Sequence, residues 1–237
     1  MAGKNKWKLT GSISLLISFV ILLTSARCDD DKPFASQILT FILPISIAPS
    51  DSTITKGDTL WVTAAINDSL YEYHTQKKHK LSNFDFGQTS IGVRKLIDKS
   101  KDLSDQVSAV SHFETISKVG DVVFLGDTFI DFKFYYHPVL KQYQLRFGFV
   151  PKIAGVYCIA LLSPTDLNYN GIISLGKANN GATIIPVYED LFFPVNNGEN
   201  NFELFKKYCF DSSSISPDNY RANNYIQKGT FTFRVVE

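Results

Sequence analysis

Residues 142–149 read Gln-Tyr-Gln-Leu-Arg-Phe-Gly-Phe, and a large apolar side chain occupies every second position. Successive side chains of a β-strand point to opposite faces of the sheet, so this spacing gives one strand two different faces. The apolar face would carry Tyr143, Leu145, Phe147 and Phe149. The opposite face would carry Gln142, Gln144, Arg146 and Gly148. This pattern is typical of a strand that packs one face on a core and turns the other to solvent.

Similar alternation recurs along the chain and predicts strands over residues 59–66, 132–136 and 231–235. Residues 37–48 and 155–162 are apolar on both sides and predict more deeply buried strands, with Pro44 favouring an edge position or a bulge. Residues 99–110 and 201–209 have the spacing of short helices. Many strands, few helices and several Asn-Gly turns predict an all-β fold, an antiparallel β-sandwich with long insertions and one or two short helices.

Three stretches resemble immunoglobulin-like domains: residues 56–64 (KGDTLWVTA), 151–160 (PKIAGVYCIA) and 229–235 (GTFTFRV). Gly155 and Tyr157 resemble the tyrosine corner of those sandwiches. The resemblance implies an immunoglobulin-like β-sandwich over residues 37–237. It does not extend to the core disulfide of antibody domains, because Cys158 directly follows Tyr157 instead of standing two residues beyond it. Residues 75–120 and 163–228 would be insertions in one sandwich, or would divide it into two domains.

The N-terminus has the three parts of an export signal in their usual order. Lys4, Lys6 and Lys8 precede the largely apolar residues 13–23, and small residues follow at positions 24–26. A helix that crosses a membrane needs about 20 apolar residues, and this stretch is much shorter. We therefore expect residues 1–27 to be a cleaved signal peptide rather than a permanent anchor.

Cys28 stands just after the apolar stretch and is followed by three aspartates, residues 29–31. This arrangement resembles the N-terminus of Bacteroidetes-type surface lipoproteins. The resemblance implies that Cys28 is lipidated, that residues 28–36 form an acidic tether, and that the protein is anchored in the outer membrane and exposed at the surface. Arg27 stands where that family usually has a small residue. Cleavage after Ala26, giving a secreted or periplasmic protein, is therefore the alternative.

The charge of the mature chain argues against nucleic acid as a partner. Removal of residues 1–27 takes away four basic residues and no acidic one, which leaves 20 basic against 23 acidic residues and a net charge of −3. Nothing basic enough to follow a phosphate backbone remains. The cluster Lys77-Lys78-His79-Lys80 is expected to be a solvated loop.

Two local patterns suggest chemistry, but neither is complete. Residues 166–171 (DLNYNG) match the opening of a calcium loop, but Lys177 stands where the closing acidic residue should be, so an Asn-Gly hairpin is favoured. Ser174 and Lys177 match S-x-x-K without the other motifs of penicillin-binding enzymes. The four histidines are scattered without metal-ligand spacing. We predict no catalytic residue, no metal site and no cofactor, and the ligand-binding residues are unknown from sequence.

Two cysteines remain for pairing if Cys28 carries lipid. Cys158 falls in the buried strand over residues 155–162, and Cys209 ends the short helical segment on its apolar face. Because an exported chain reaches an oxidising compartment, we predict a disulfide between Cys158 and Cys209. The alternative is two separate buried thiols that pack as small hydrophobic side chains.

Trp61 is the only tryptophan of the mature chain and is predicted on the face opposite Leu60 and Val62. We expect it to be a core residue, although exposed aromatic side chains also bind sugars. The predicted function is a non-catalytic envelope lipoprotein that binds a protein partner or serves as a structural module. The alternative is a carbohydrate-binding accessory domain of a polysaccharide uptake system. A planar row of exposed aromatics would favour the glycan, and a flat, mixed surface would favour a protein.

Overall fold

The computed structural model describes residues 35–81, 89–97, 106–162, 184–209 and 223–237. The chain divides into two units, one of Met1–Ser36 with Ser174–Ile185 and one of Gln37–Ile173 with Pro186–Glu237. Within the first unit, the described residues are only the outer ends of two strands, residues 35–36 and 184–185. The rest of the described chain belongs to the second unit.

The described residues form sixteen strands, numbered here in chain order. They are β1 (Ala35–Ile42), β2 (Ser46–Ala48), β3 (Thr53–Thr55), β4 (Leu60–Asn67), β5 (Ser69–Tyr71), β6 (Lys78–Lys80), β7 (Thr89–Lys95), β8 (Val107–Ser108), β9 (Phe113–Val119), β10 (Asp121–Leu125), β11 (Phe129–Lys133), β12 (Tyr135–His137), β13 (Gln142–Pro151), β14 (Gly155–Leu162), β15 (Ile184–Phe192) and β16 (Thr230–Val236). The helical elements are short: α1 (Phe202–Lys206), 3-10 turns at Val110–His112 and Asn196–Gly198, and a π-helical turn at Asn223–Lys228.

Two sheets make the sandwich within the described residues. Sheet A has the order β10-β11-β7-β14-β16-β3, with β8 added beside β7. Sheet B has the order β12-β13-β4-β2, with β9 also paired to β13. Strands β1 and β15 pair with each other, as do β5 and β6. Neighbouring strands of sheets A and B run antiparallel, except that β16 and β3 run parallel. The chain is therefore an all-β sandwich with mostly antiparallel strands, as predicted.

The core lies between the two sheets and is filled by aromatic rings. Phe147 of sheet B packs 5.8 Å from Phe132 of sheet A, measured between ring centres. Phe113 of β9 packs edge-on to Tyr157 of β14 at 4.9 Å. The inward positions of β13 and β4 are buried, as their alternation predicts. Burying such rings is the largest favourable contribution that a sandwich of this kind obtains from packing.

Several sequence predictions need correction at strand boundaries. Residues 37–48 are not one strand. The strand is interrupted at residues 43–45, around Pro44, and this interruption separates β1 from β2. Residues 132–136 also belong to two strands, since β11 lies in sheet A and β12 in sheet B. The described part of the predicted helix over residues 99–110 is strand β8 followed by the start of a 3-10 turn. The predicted helix over residues 201–209 is confirmed as α1.

The middle of the outer face of sheet A is covered by the chain itself, whereas Phe129, Lys133 and Arg234 on the same face are exposed. Val156 and Cys158 of β14 and Thr230 and Thr232 of β16 are buried, although they point away from the sandwich core. The segment around α1 packs on this face through Phe205.

No helix among the described residues is long and apolar enough to cross a membrane.

Candidate functional site

The outer face of sheet B, unlike the middle of the outer face of sheet A, is open within the part of the chain that the structure describes. It is built from the outward positions of β9, β12, β13, β4 and β2, which lie side by side in register. Its residues range from half-buried to exposed, apart from the buried Gly148. One row across it contains Ile116, Gly148, Trp61 and Ala48. We call this surface the sheet B face.

Trp61 is at the centre of the sheet B face. Its ring lies over Gly148, where an added Cβ would stand 3.3 Å from two ring carbons and 2.6 Å from the methyl group of Thr59. The guanidinium carbon of Arg146 is 4.8 Å from the ring centre, a cation–π distance. Trp61 is half-buried, so the expectation that it is a core residue is wrong. Leu60 and Val62 take the core positions instead.

The rest of the sheet B face mixes aromatic, amide and small side chains. Tyr135 is 51% exposed and lies beside Gln144, which pairs across to Ala65. The Gln142 amide donates to the Asn67 side-chain oxygen at 3.1 Å. The aromatics do not form a continuous row, because Trp61 and Tyr135 stand in different cross-strand rows separated by Arg146 and Thr63. The surface is therefore chemically mixed, without a continuous aromatic row.

A separate cleft of about 680 Å³ lies beside the N-terminal end of α1. Its walls are residues 198–203, Ser50, Gln227 and Lys228. Asparagines fix the loop that precedes α1: the Asn196 side chain accepts from the Ile47 N–H at 2.7 Å and donates to its carbonyl at 3.0 Å. The buried Asn200 amide donates to the Gln227 carbonyl at 2.5 Å. Amides, carboxylates and the half-buried ring of Phe202 therefore surround a fixed opening.

The tyrosine corner predicted from Gly155 and Tyr157 is present. The Tyr157 hydroxyl donates to the carbonyl of Ile153 at 2.9 Å, four residues upstream. His112 Nδ1 lies 3.1 Å from the same hydroxyl. Burial lowers the pKa of His112, and Lys95 and Lys152 act in the same direction. Burial also raises the pKa of Tyr157. The Tyr157 hydroxyl therefore holds the β13–β14 turn in place.

A buried carboxylate organises the β5–β6 end of the unit. Glu72 accepts hydrogen bonds from the N–H of Thr40 at 3.2 Å and from the N–H and hydroxyl of Thr75 at 2.6 and 2.7 Å. Burial acts to raise the pKa of Glu72, but these hydrogen bonds outweigh it and the pKa is lowered. Nearby, His79 is buried edge-on against Phe41, with ring centres 6.1 Å apart. The basic cluster is thus strand β6 and the residue before it, not a loop, with exposed lysines on both sides of a buried histidine.

The remaining predicted site residues have mixed outcomes. Cys158 and Cys209 are both buried in one cluster, and in this structure both are thiols. Cys28, the calcium-like residues 166–171 and the pair Ser174 and Lys177 lie outside the described residues. Among the residues that the structure describes, no three His, Cys, Asp or Glu side chains group as a metal site would need.

No known protein-family model matches this chain, and no curated protein matches it either. Among solved structures, it is similar to a non-cellulosomal cohesin from the hyperthermophilic archaeon Archaeoglobus fulgidus. The similarity covers 85% of this chain and 93% of the cohesin, with 9% sequence identity and a TM-score of 0.22. A score this low is a weak likeness, and neither the fold assigned to this chain nor its proposed function rests on it.

Proposed function

We propose that the protein is a non-catalytic interaction module that binds a protein partner through the sheet B face. The observation that carries this proposal is the contrast between the two sheets. The segment around α1 covers the middle of the outer face of sheet A, whereas Trp61 and Arg146 on the opposite side of the sandwich are within reach of solvent. Tryptophan, tyrosine and arginine are the residues that contribute most often to binding energy at protein interfaces.

The chemistry of the sheet B face favours a protein over a glycan. A polysaccharide site needs aromatic rings in a continuous plane, whereas Trp61 is flanked here by Arg146 and by small residues. The guanidinium of Arg146 is exposed and can pair with a carboxylate of the partner while it remains on the indole ring. We therefore propose a partner surface with at least one acidic side chain opposite Arg146.

Site-specific photo-crosslinking in intact cells tests this function. A photoreactive phenylalanine analogue replaces Ala65, which is exposed on the sheet B face, and in a control it replaces Val139, which is 82% exposed away from it. We expect one discrete adduct with a second protein from position 65 and none from position 139. The adduct should disappear when Arg146→Glu is added. Equal adducts from both positions, or none from position 65, would contradict the proposal.

We also propose that the module is a surface-exposed lipoprotein of the outer membrane, anchored by lipid on Cys28. The support is the order of the N-terminal sequence: lysines, an apolar stretch, Cys28 and then three aspartates. Acyl chains contribute about 0.8 kcal/mol per buried CH₂, so several chains hold a soluble domain at a bilayer. Metabolic labelling with a fatty-acid analogue should mark the wild-type protein and not Cys28→Ala. Equal labelling of both would exclude the anchor.

A second candidate function, carbohydrate binding, is favoured by the cleft beside α1. Side-chain amides and carboxylates can bond the paired hydroxyls of a sugar, and the Phe202 ring offers an apolar surface. Calorimetric titration with soluble oligosaccharides of glucose, mannose and xylose tests it. Binding that is lost in Gln227→Ala and kept in Arg146→Ala would support the cleft. No heat of binding with any of these sugars would remove this candidate.

A further inference from the structure

Two cysteines from distant parts of the chain lie in one buried cluster on the outer face of sheet A. Cys158 stands within β14, between Thr232 of β16 and Arg94 of β7. Cys209 follows α1, and its N–H donates to the Phe205 carbonyl at 2.9 Å. The exposed fractions of the two cysteines are 0% and 1%. The cluster comprises Leu96, Val156, Cys158, Phe205 and Cys209.

The helix that precedes Cys209 depends on this cluster for its position. α1 has five residues, far fewer than the roughly 12–15 that an isolated helix needs for marginal stability. It is held on the sheet by packing of Phe205 and by a backbone hydrogen bond of 3.2 Å from the Thr232 N–H to the Asn200 carbonyl. A covalent bond at Cys209 would therefore add a second attachment for a helix that is too short to be stable alone.

We propose that Cys158 and Cys209 form a disulfide bond that fixes α1 on the outer face of sheet A. The reaction joins the two Sγ atoms and releases two protons and two electrons. The electrons pass to a disulfide oxidant, either a thiol oxidoreductase or glutathione disulfide, whose S–S bond is cleaved to two thiols. The product closes a loop of about 50 residues, which restricts the unfolded chain and stabilises the folded one.

Burial sets when the bond can form and how it responds to reductants. Burial raises the pKa of the Cys158 thiol to about 12; a hydrogen bond with Thr232 acts against this rise, and Cys209 adds to it. Thiolate is the reacting species, so oxidation is slow once α1 has packed on the sheet. We therefore expect the bond to form during folding. Once formed, it should resist mild reductants as long as the protein stays folded.

Refolding of the full chain carrying Cys28→Ser tests the proposal without interference from the third cysteine. The reduced, unfolded chain is refolded in a mixture of reduced and oxidised glutathione. It is then denatured in the presence of N-ethylmaleimide, which alkylates free thiols, and its mass is measured by mass spectrometry. We expect no alkylated cysteine and the loss of two hydrogen atoms. The melting temperature should be roughly 10 °C above that of the same protein refolded under reducing conditions.

Two alkylated cysteines, or two mixed disulfides with glutathione, would overturn the proposal. The matched control is Cys28→Ser with Cys209→Ala, which should show one modified cysteine and a melting temperature no higher than that of the reduced protein, because the substitution also removes a buried Sγ atom. The same thiol count is made on the Cys28→Ser chain exported by a bacterial host into its periplasm and never unfolded. Two reactive thiols in that preparation would also contradict a disulfide.

Discussion

Arg146 and Trp61 stack on the open side of sheet B, with the guanidinium carbon 4.8 Å from the centre of the ring. The two residues come from neighbouring strands, β13 and β4, and Gly148 leaves the space in which the indole lies. A cation over an aromatic face contributes about 0.5–1 kcal/mol at an exposed site. That contribution is too small to explain the arrangement by stability alone, and the arrangement places two side chains typical of interfaces next to each other.

Gly148→Ala should displace the Trp61 ring. The added Cβ would stand 2.6 Å from the Thr59 methyl group, which must shift, and 3.3 Å from the indole, which must give way slightly. We expect a loss of about 1–3 kcal/mol in the free energy of unfolding, with a changed Trp61 fluorescence maximum. The control is Gly92→Ala, whose Cβ would meet nothing closer than 3.9 Å. Equal effects of the two substitutions on fluorescence would contradict the packing described here.

Tyr157→Phe should remove the tyrosine corner and leave the aromatic core in place. The substitution deletes the hydroxyl that donates to Ile153 and lies beside His112, and it keeps the ring that packs on Phe113. We expect a loss of about 1–2 kcal/mol by urea denaturation. Tyr135→Phe, at a half-exposed tyrosine, is the control and should change the midpoint little. A stability loss below that of the control would show that the corner is not structural.

Glu72→Ala should destabilise the β5–β6 end of the unit. It leaves the Thr40 N–H and both donors of Thr75 without their acceptor, for which we expect a cost of about 3 kcal/mol. Glu72→Gln keeps one carbonyl oxygen as an acceptor, so its free energy of unfolding should fall by less. Glu114→Ala, at an exposed carboxylate on β9, is the control. The free energy of unfolding is measured for the wild type and the three variants. A Glu72→Gln protein less stable than Glu72→Ala would contradict the expected order.

Stability should fall as the pH drops below neutrality. Burial lowers the pKa of His79 and His112 below the ordinary 6.5; Lys77 reinforces this at His79 whereas Glu72 opposes it, and Lys95 and Lys152 reinforce it at His112. The unfolded chain therefore binds more protons than the folded chain once the pH falls through 6.5. Urea midpoints should decrease from about pH 7.5 to about 5.5, and His112→Gln should reduce the slope. A urea midpoint of the wild type that does not change between these pH values would contradict the lowered pKa values of His79 and His112.

The sequence predicts the sandwich because side-chain alternation is a local signal. In β13 it identifies the buried and outward positions correctly, and Tyr157 identifies the corner that closes the β13–β14 turn. The same signal runs unbroken through Phe134, where the chain passes from sheet A to sheet B, so it predicts one strand where there are two. Local periodicity contains no information about which sheet a strand joins.

The coverage of the two outer faces could not be predicted for a similar reason. Thr230 and Thr232 are polar and alternate with phenylalanines, which predicts a solvated face, but α1 and Cys209 come from about 20 to 30 residues earlier in the chain and bury them. Trp61 shows the opposite case, since nothing in residues 59–66 indicates whether its face is covered. Its position depends on Gly148, which is distant in sequence and adjacent in the sheet.

Hydroxyl-radical footprinting measures whether a protein partner covers the sheet B face. Oxidation of Trp61 and Tyr135 is measured in intact cells and in the purified protein, with Tyr71, which is 58% exposed on β5, as the internal reference. If a protein partner covers the sheet B face, Trp61 and Tyr135 should be oxidised several-fold more slowly in cells, and Arg146→Glu should abolish that protection. Equal oxidation of Trp61 in cells and in the purified protein, relative to Tyr71, would contradict the account.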